Sequence, residues 1–452
     1  MPRTAPARRS AVHQAAWFEH CLAALGLLAC LSGCSAGPTG SAPPRLVLLL
    51  EVDTLRADFL GAYGGDEAAT PFLDRFAAES LVFDGAHSTA PWTLPSLASC
   101  LTGKWPWQHG ATRLLGPLGD GHLTLPEAFR AGGWHTAGVM TNFLAKRDAG
   151  WAQGFELWDE ELATGHEGSS AEAAVDKLLA SYDQLADAAP LFLFGFFFEP
   201  HWRYEPDAAT ADLSITRFGD LGELRAALAA GELDEADLTG LRRLYAAEVE
   251  RIDRALARLA AGLAARGAWD DAVVVFTADH GEHLGEPTWG RAPWVGHTID
   301  LSETLVRVPL WIKAPGLLPA RRLRPVSQVD LGATLLGLGG LEPKLGESRS
   351  LLRAEPRAEL FLQVDFEPEL VRADSQRKRS LMWGVIDAER DEKWVVDHFA
   401  EDGPTGYFFD LAKDPGESVN LAPSPLSQRL ELLRGLVPEA LNGAPGEQPR
   451  EP

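Results

Sequence analysis

Three short stretches hold residue types that do chemistry at strand and helix ends. Asp53 closes the continuous apolar run 46–52, and the pair Asp279-His280 closes the run 273–277. Carboxylate and imidazole side chains are the usual ligands of hard or borderline divalent metals. In doubly wound sheets ligands bind beyond the carboxyl ends of the strands. A lone strand-end Asp is also a common structural cap. The stretch Thr277-Ala278-Asp279-His280-Gly281-Glu282 is denser, and Gly281 is expected to allow an unusual backbone angle where polar side chains converge. The third stretch runs from Pro91 to Gly103. Pro95 suits only the first turn of a helix and Gly103 its C-terminal end, so Thr93 is expected at a helix N-terminus. There it serves either as an N-cap or as a nucleophile, whose alkoxide a helix dipole and a bound metal would favour.

These residues need elements to position them. Apolar runs at 46–52, 136–141, 191–198, 272–277 and 308–313 read as strands buried on both faces. Helical patterns at 71–80 and 124–131 are each introduced by a Thr. In the longest, 241–263, Leu241, Leu244, Val249, Ile252, Leu256, Leu259 and Leu263 recur near every 3.6 residues. Alternating strands and helices imply an α/β domain over 45–342 with a large, mostly parallel sheet flanked by helices. The acidic segment 205–237 breaks this rhythm and reads as an insertion or cap. After Glu342, short strands at 359–364, 381–386, 393–398 and 406–410 and a helix at 427–436 imply a small antiparallel α+β subdomain over 343–437. The Pro-, Gly- and Glu-rich stretch 438–452 is expected to be a disordered tail.

The amino terminus reads as an address. Arg3, Arg8 and Arg9 precede the apolar run 21–31, which ends in Leu31-Ser32-Gly33-Cys34. This describes a secretory signal over 1–33, and its end resembles a bacterial lipobox, which implies lipidation of Cys34 after cleavage. An ordinary signal peptide is the alternative. Residues 34–44 would then be a tether, and the protein would be anchored by lipid in a bacterial cell envelope, periplasmic or at the outer membrane. Of four Cys, only Cys100 would remain unmodified, which excludes an intrachain disulfide. The 452 residues carry 41 Lys+Arg against 64 Asp+Glu, a formal net charge of −23. Loss of 1–33 removes three Arg and one Glu, leaving −25. Such acidity excludes a protein that coats nucleic acid, but not an anionic small substrate drawn in by a local cation.

The motifs together resemble the sulfatase family of the alkaline phosphatase superfamily. Val52-Asp53-Thr54-Leu55-Arg56-Ala57-Asp58 is similar to the family's opening metal motif, and Thr93–Gly103 to its nucleophile motif Cys/Ser-x-Pro-Ser-x-x-x-x-Leu-Thr-Gly. Glu199-Pro200-His201 resembles an Asp-Pro-His segment. Phe276–Glu282 and Gly296-His297 resemble the distal metal and anion motifs. Tyr407–Leu411, Asp414–Glu417 and Asn420-Leu421 resemble the C-terminal strand and turn. The resemblance implies an alkaline-phosphatase-like fold and a metal-dependent ester hydrolase. It implies a divalent metal (Ca, Zn or Mn) on Asp53, Asp279, His280 and Thr93, with His201 and His297 contacting the transferred anion or protonating the leaving group. Asn142 and Arg56 are candidate anion contacts, Arg56 also a candidate structural salt bridge, and His283 a candidate for a second metal or a solvated loop residue.

The departures redirect the chemistry. The position of the Cys or Ser that becomes formylglycine is Thr93, and the Arg of the usual Pro-Ser-Arg signal is Leu97, so no formylglycine is expected. Met140-Thr141-Asn142-Phe143 stands where the family has Gly-Lys-Trp-His, and Thr54 replaces the second Asp of an Asp-Asp pair. These features resemble the Thr-nucleophile branch, which cleaves or transfers phosphate and phosphonate esters. The expected substrate is thus an anionic ester of a small molecule, glycan or lipid. A sulfatase working without formylglycine and an inactive cell-surface binding protein are the alternatives. Trp92, Trp105, Trp107, Trp202, Trp289 and Trp294 flank the motifs and would either line a pocket or pack beneath loops.

Overall fold

The structure, a computed structural model, describes residues 44–422 except 115, 166–169, 187–189, 206–208, 354, 356, 367–379, 399 and 401–404. The signal segment, Cys34, all but the end of the tether, the helix expected at 427–436 and the tail lie outside the described residues. Among the described residues, no helix is long and apolar enough to cross a membrane.

The apolar runs become the strands of one sheet: β1 (Leu46–Val52), β2 (Leu81–Phe83), β3 (His135–Val139), β4 (Leu157–Asp159), β5 (Leu191–Phe197), β6 (Val273–Ala278), β7 (Leu310–Lys313) and β8 (Ala320–Arg322). Their order is β8-β2-β7-β6-β1-β5-β3-β4. β1 pairs in parallel with β5 and β6, whereas β7 runs antiparallel to both β6 and β2. Every residue of β1, β5 and β6 is buried, as their unbroken hydrophobicity requires.

Helices cover both faces. They are α1 (Pro71–Ala78), α2 (Thr93–Thr102), α3 (Leu125–Ala131), α4 (Ala171–Leu185), α5 (Leu221–Ala229), α6 (Glu235–Ala265) and α7 (Leu331–Leu338). A Cβ at Gly195 of β5 would meet Leu178 of α4, while its neighbour strand residue Phe192, of opposite parity, stacks on Phe129 of α3. The parity separates α4, with α6 and α1 packed beside it, from α3, which packs with α7 and α2 on the other face. Thr124 caps α3 through a reciprocal bond with Glu127, and Asp234 caps α6 in the same manner.

The acidic insertion contributes α5 and the first turn of α6. Arg225 of α5 donates from Nε to the Val295 carbonyl at 2.6 Å and so braces the segment that leads to His297. The C-terminal region forms an antiparallel meander of β9 (Glu359–Phe366), β10 (Ser380–Asp387), β11 (Glu392–Asp397) and β12 (Thr405–Asp410). It lies in one compact unit with the large sheet. Gln363 N–H donates to the Thr89 carbonyl at 2.9 Å, and the buried Lys393 reaches Glu303 and Glu417 at 2.9 and 2.8 Å.

Candidate active site

Three elements end at one point. Asp53 leaves β1 and Asp279 leaves β6. The two strand ends are tied together where Asp279 N–H donates to the Val52 carbonyl at 3.2 Å. Thr93 is the first residue of α2, after the extended Trp92, and Gly103 ends that helix at φ 63°. Thr93 is therefore no N-cap, and its hydroxyl faces the strand ends. Its Oγ1 lies 3.5 Å from His280 Nε2 and 3.4 Å from Asn142 Nδ2. Helix N-terminal N–H groups and the dipole favour negative charge there.

Asp53, Asp279 and His280 are fully buried, and each offers one ligand atom within 4.8 Å of the others. Among the described residues, the Oδ1 of Asp53 and the Oδ2 of Asp279 have no hydrogen-bond partner. His280 Nδ1 lies 2.8 Å from the Gly281 carbonyl, so the proton sits there and the Nε2 lone pair faces the carboxylates at 3.7 and 3.4 Å. Burial, then repulsion from Asp279, holds the Asp53 carboxyl well above its ordinary range, and burial raises Asp279 as well. Two buried carboxylates with unpaired oxygens and a correctly oriented imidazole fit a divalent cation.

The surroundings hold this geometry. Thr54 adopts φ 56°, a conformation strained for a β-branched residue. It is held by its N–H to Asp279 Oδ1 at 3.1 Å and by Tyr245, whose hydroxyl donates to the Thr54 carbonyl at 2.7 Å. Sequence reading gave Tyr245 no role, because nothing in the long helix pattern separates it from the core. Glu282 ends a sequence motif that assigns it no role. It is fully buried and its Oε1 lies 3.0 Å from His297 Nδ1, which fixes that ring's proton on Nδ1. His201 Nδ1 is held by the Trp202 carbonyl at 2.6 Å. The His201 and His297 rings are 5.2 Å apart, and His297 is 4.5 Å from His280, so the three imidazoles form one wall.

Four expectations change or narrow. Gly281 has no left-handed backbone angle; a Cβ there would lie 2.0 Å from the Thr304 carbonyl oxygen, so close approach demands the glycine. Arg56 forms the structural salt bridge that was one of its two candidate roles. Its guanidinium binds both Asp58 oxygens at 2.9 and 2.7 Å, Glu286 at 2.5 Å and the Glu282 carbonyl at 3.1 Å, so its donors serve as a brace. Asn142 donates from Nδ2 to Asp53 Oδ2 at 2.7 Å and toward Thr93, and accepts from Leu144 N–H at 2.8 Å. Its amide thus orients the aspartate and the hydroxyl. His283 is neither solvated nor beside the carboxylate pair. It is buried with Nε2 3.2 Å from Asp300; although burial opposes its charge, that carboxylate raises its pKa.

The tryptophans pack under loops: Trp92 against Phe366, Trp105 on Trp107 and Phe361, Trp202 against Tyr204, Trp289 by Tyr407 and Phe409, and Trp294 beneath Arg225. Cys100 is a buried free thiol on α2.

A family model described as Sulfatase matches residues 45–341. The chain belongs to the sulfatase family. It is 28% identical, over 84% of its length and 91% of the relative's, to the multifunctional alkaline phosphatase superfamily protein PehA of Trinickia caryophylli. It is 25% identical to the choline-sulfatase of Rhizobium meliloti (strain 1021), over 84% of this chain and 82% of that one. The phosphonate monoester hydrolase of Agrobacterium radiobacter superposes with a TM-score of 0.69 at 20% identity, covering 89% of this chain and 95% of that one, a likeness of fold. As a sulfatase-family protein with an alkaline-phosphatase-like fold, this chain is a hydrolase of ester bonds, in a family generally dependent on divalent metals.

Proposed function

We propose that this sulfatase-family hydrolase cleaves phosphate or phosphonate esters with Thr93 as its nucleophile. The observation that carries this reading is the Thr93 hydroxyl at the start of α2, within 3.5 Å of His280 Nε2 and 3.4 Å of Asn142 Nδ2, with Asp53 and Asp279 alongside. A divalent cation held by Asp53, Asp279, His280 and Thr93 would supply Lewis-acid stabilisation of developing oxygen charge and favour the Thr93 alkoxide. Thr93 Oγ1 gives up its proton to solvent and attacks phosphorus, the bond from phosphorus to the leaving oxygen breaks, and the imidazolium of His201 or His297 gives that oxygen its Nε2 proton. Water then attacks phosphorus in line and gives a proton to that neutral Nε2, and the bond to Thr93 breaks, Oγ1 taking a proton from solvent to restore the hydroxyl.

Threonine favours phosphorus over sulfur. A formylglycine hydrate expels bound sulfate by collapsing to an aldehyde, whereas Thr93 carries a methyl group on its Cβ and has no such route. A sulfuric ester is the second reading, supported by the choline-sulfatase relative. The test is a panel of para-nitrophenyl sulfate, phosphate monoester, phosphate diester and phenylphosphonate with Zn²⁺, Mn²⁺ or Ca²⁺. Phosphorus esters turned over faster than sulfate, with intact mass showing phosphate on wild type and none on Thr93→Ala, supports the proposal; faster sulfate turnover overturns it. We also propose that Cys34 carries a lipid that anchors the protein to a bacterial envelope membrane. Loss of Cys34→Ala from the membrane fraction is the expected result; wild type found only in the soluble fraction defeats it.

A further inference from the structure

His201 stands beside His297 and lines a cavity of about 340 Å³. The floor of this cavity contains Phe198, Glu199, Glu248 and Arg251. Glu248 is only 2% exposed. Its Oε1 accepts from Glu205 N–H at 2.7 Å and from Arg251 Nη1 at 2.8 Å, while its Oε2 has no partner among the described residues. Glu199 repeats the arrangement, with Oε1 accepting from Ala171 N–H at 2.8 Å and Oε2 buried without a partner among the described residues. The other guanidinium nitrogen of Arg251 donates to the Glu205 carbonyl at 2.8 Å. The floor therefore sets two carboxylates against one committed guanidinium. The further charges, Glu172, Arg203, Glu205 and Arg254, stand exposed at the rim, where solvent screens them.

A buried carboxylate oxygen without a donor is costly. An alkylammonium brings three N–H donors and one positive charge, which complements two unpaired oxygens and a floor of net charge −1. A hydroxyl brings one donor and no charge, and an anion is repelled. The ring of Phe198 adds a surface that tolerates a cation. Burial raises the Glu199 carboxyl and pushes Glu248 up to about 7 against the opposing pull of Arg251, as for acids short of positive charge. His201, the proposed acid for the leaving oxygen, lines this cavity.

We propose that the cavity is the subsite for the alcohol half of the ester and selects leaving groups that carry a protonated amine. This rests on the hydrolase reading above. The test compares kcat/KM for phosphate and phenylphosphonate esters of para-(aminomethyl)phenol with those of para-(hydroxymethyl)phenol, in wild type, Glu199→Gln and Glu248→Gln. Wild type is expected to prefer the amine by about tenfold or more, and each variant by less than about threefold. The ratio within one variant cancels any general loss of activity. A wild-type ratio near one, or a ratio retained in both variants, overturns the proposal. If Glu248→Gln does not fold, by thermal unfolding, Glu199→Gln alone decides. If no ester is turned over, the hydrolase reading fails by itself, and calorimetric binding of para-(aminomethyl)phenol judges the subsite. Binding that weakens about tenfold in Glu199→Gln supports it, and absence of binding to wild type overturns it.

Discussion

Two buried clusters of charge in this molecule obey opposite rules. On β11, Lys393 lies between Glu303 and Glu417, and Glu303 also holds His87 at 3.0 Å. Glu417 in turn accepts from Trp289 Nε1 and from Glu303 N–H, at 2.9 and 2.8 Å. Opposite signs meet within the protein, and the cluster ties β11 to the segments that carry His87, Glu303 and Glu417. At the ends of β1 and β6, Glu51, Asp53, Asp279 and Glu282 are all fully buried, and each has an oxygen without a partner. Buried charge that finds its complement inside the chain serves the fold; buried charge of one sign, converging on a hydroxyl and three imidazoles, serves a ligand.

The largest expected effect sharpens the functional side. Thr93→Ala should lower kcat by at least about 10³-fold, with an unchanged unfolding midpoint, because the side chain is a reactant and not a support. Steady-state kinetics beside thermal unfolding checks this, and comparable turnover by the variant would remove Thr93 from the chemistry. Next, Lys393→Met should cost about 3–5 kcal/mol in denaturant unfolding, since it strands Glu303 and Glu417 without their cation. A change near zero would erase the contrast between the clusters.

A smaller effect has the reverse sign. In chelator, Asp53→Asn should stabilise the protein by about 1 kcal/mol by removing one of several crowded acids. With Zn²⁺ or Mn²⁺ added, wild type should gain thermal stability and the variant should not. A variant less stable than wild type in chelator counts against a ligand-serving cluster.

The gentlest probe is pH. Burial and Asp279 raise Asp53 above its unfolded value near 3.8, so its contribution is fully present below that pH and is lost as pH rises. Metal-free wild type should thus lose stability relative to Asp53→Asn above about pH 4, by no more than about 1.4 kcal/mol per pH unit, whereas metal affinity should rise as protons leave. Glu303 behaves oppositely. Burial opposes its charge, but His87 and Lys393 hold it below 4.5, so its stabilisation is present above that pH and is lost in acid. Unfolding curves across pH 3–8 should therefore diverge from wild type toward high pH in opposite directions, Asp53→Asn becoming the more stable and Glu303→Gln the less stable.

Much of this was legible in the chain because it depends on local periodicity. The run 46–52 is β1 residue for residue, the pattern around Leu241–Leu263 lies inside α6, and the four short runs after Glu342 are the four strands of the meander. Asp53, Thr93, Asp279 and His280 could be named because each ends or begins an element whose type its own neighbours dictate. Arg56, Asn142 and His283 could not be assigned in that way. Their partners Glu286, Asp53 and Asp300 stand on other segments, and only folding supplies them. Gly281 was singled out for its backbone freedom, but the constraint came from a carbonyl 23 residues away in the chain, at Thr304.

The sequence by itself determined the elements, their order and the side chains that their ends present, because hydrogen bonding and burial within a strand or helix are written in its own residues. Tertiary structure decided which charges cancel and which do not. That depends on distances between segments: it turned Arg56 into a brace, gave Thr54 its support in Tyr245, and left the acids around Asp53 and those beside His201 with oxygens that have no hydrogen-bond partner among the described residues.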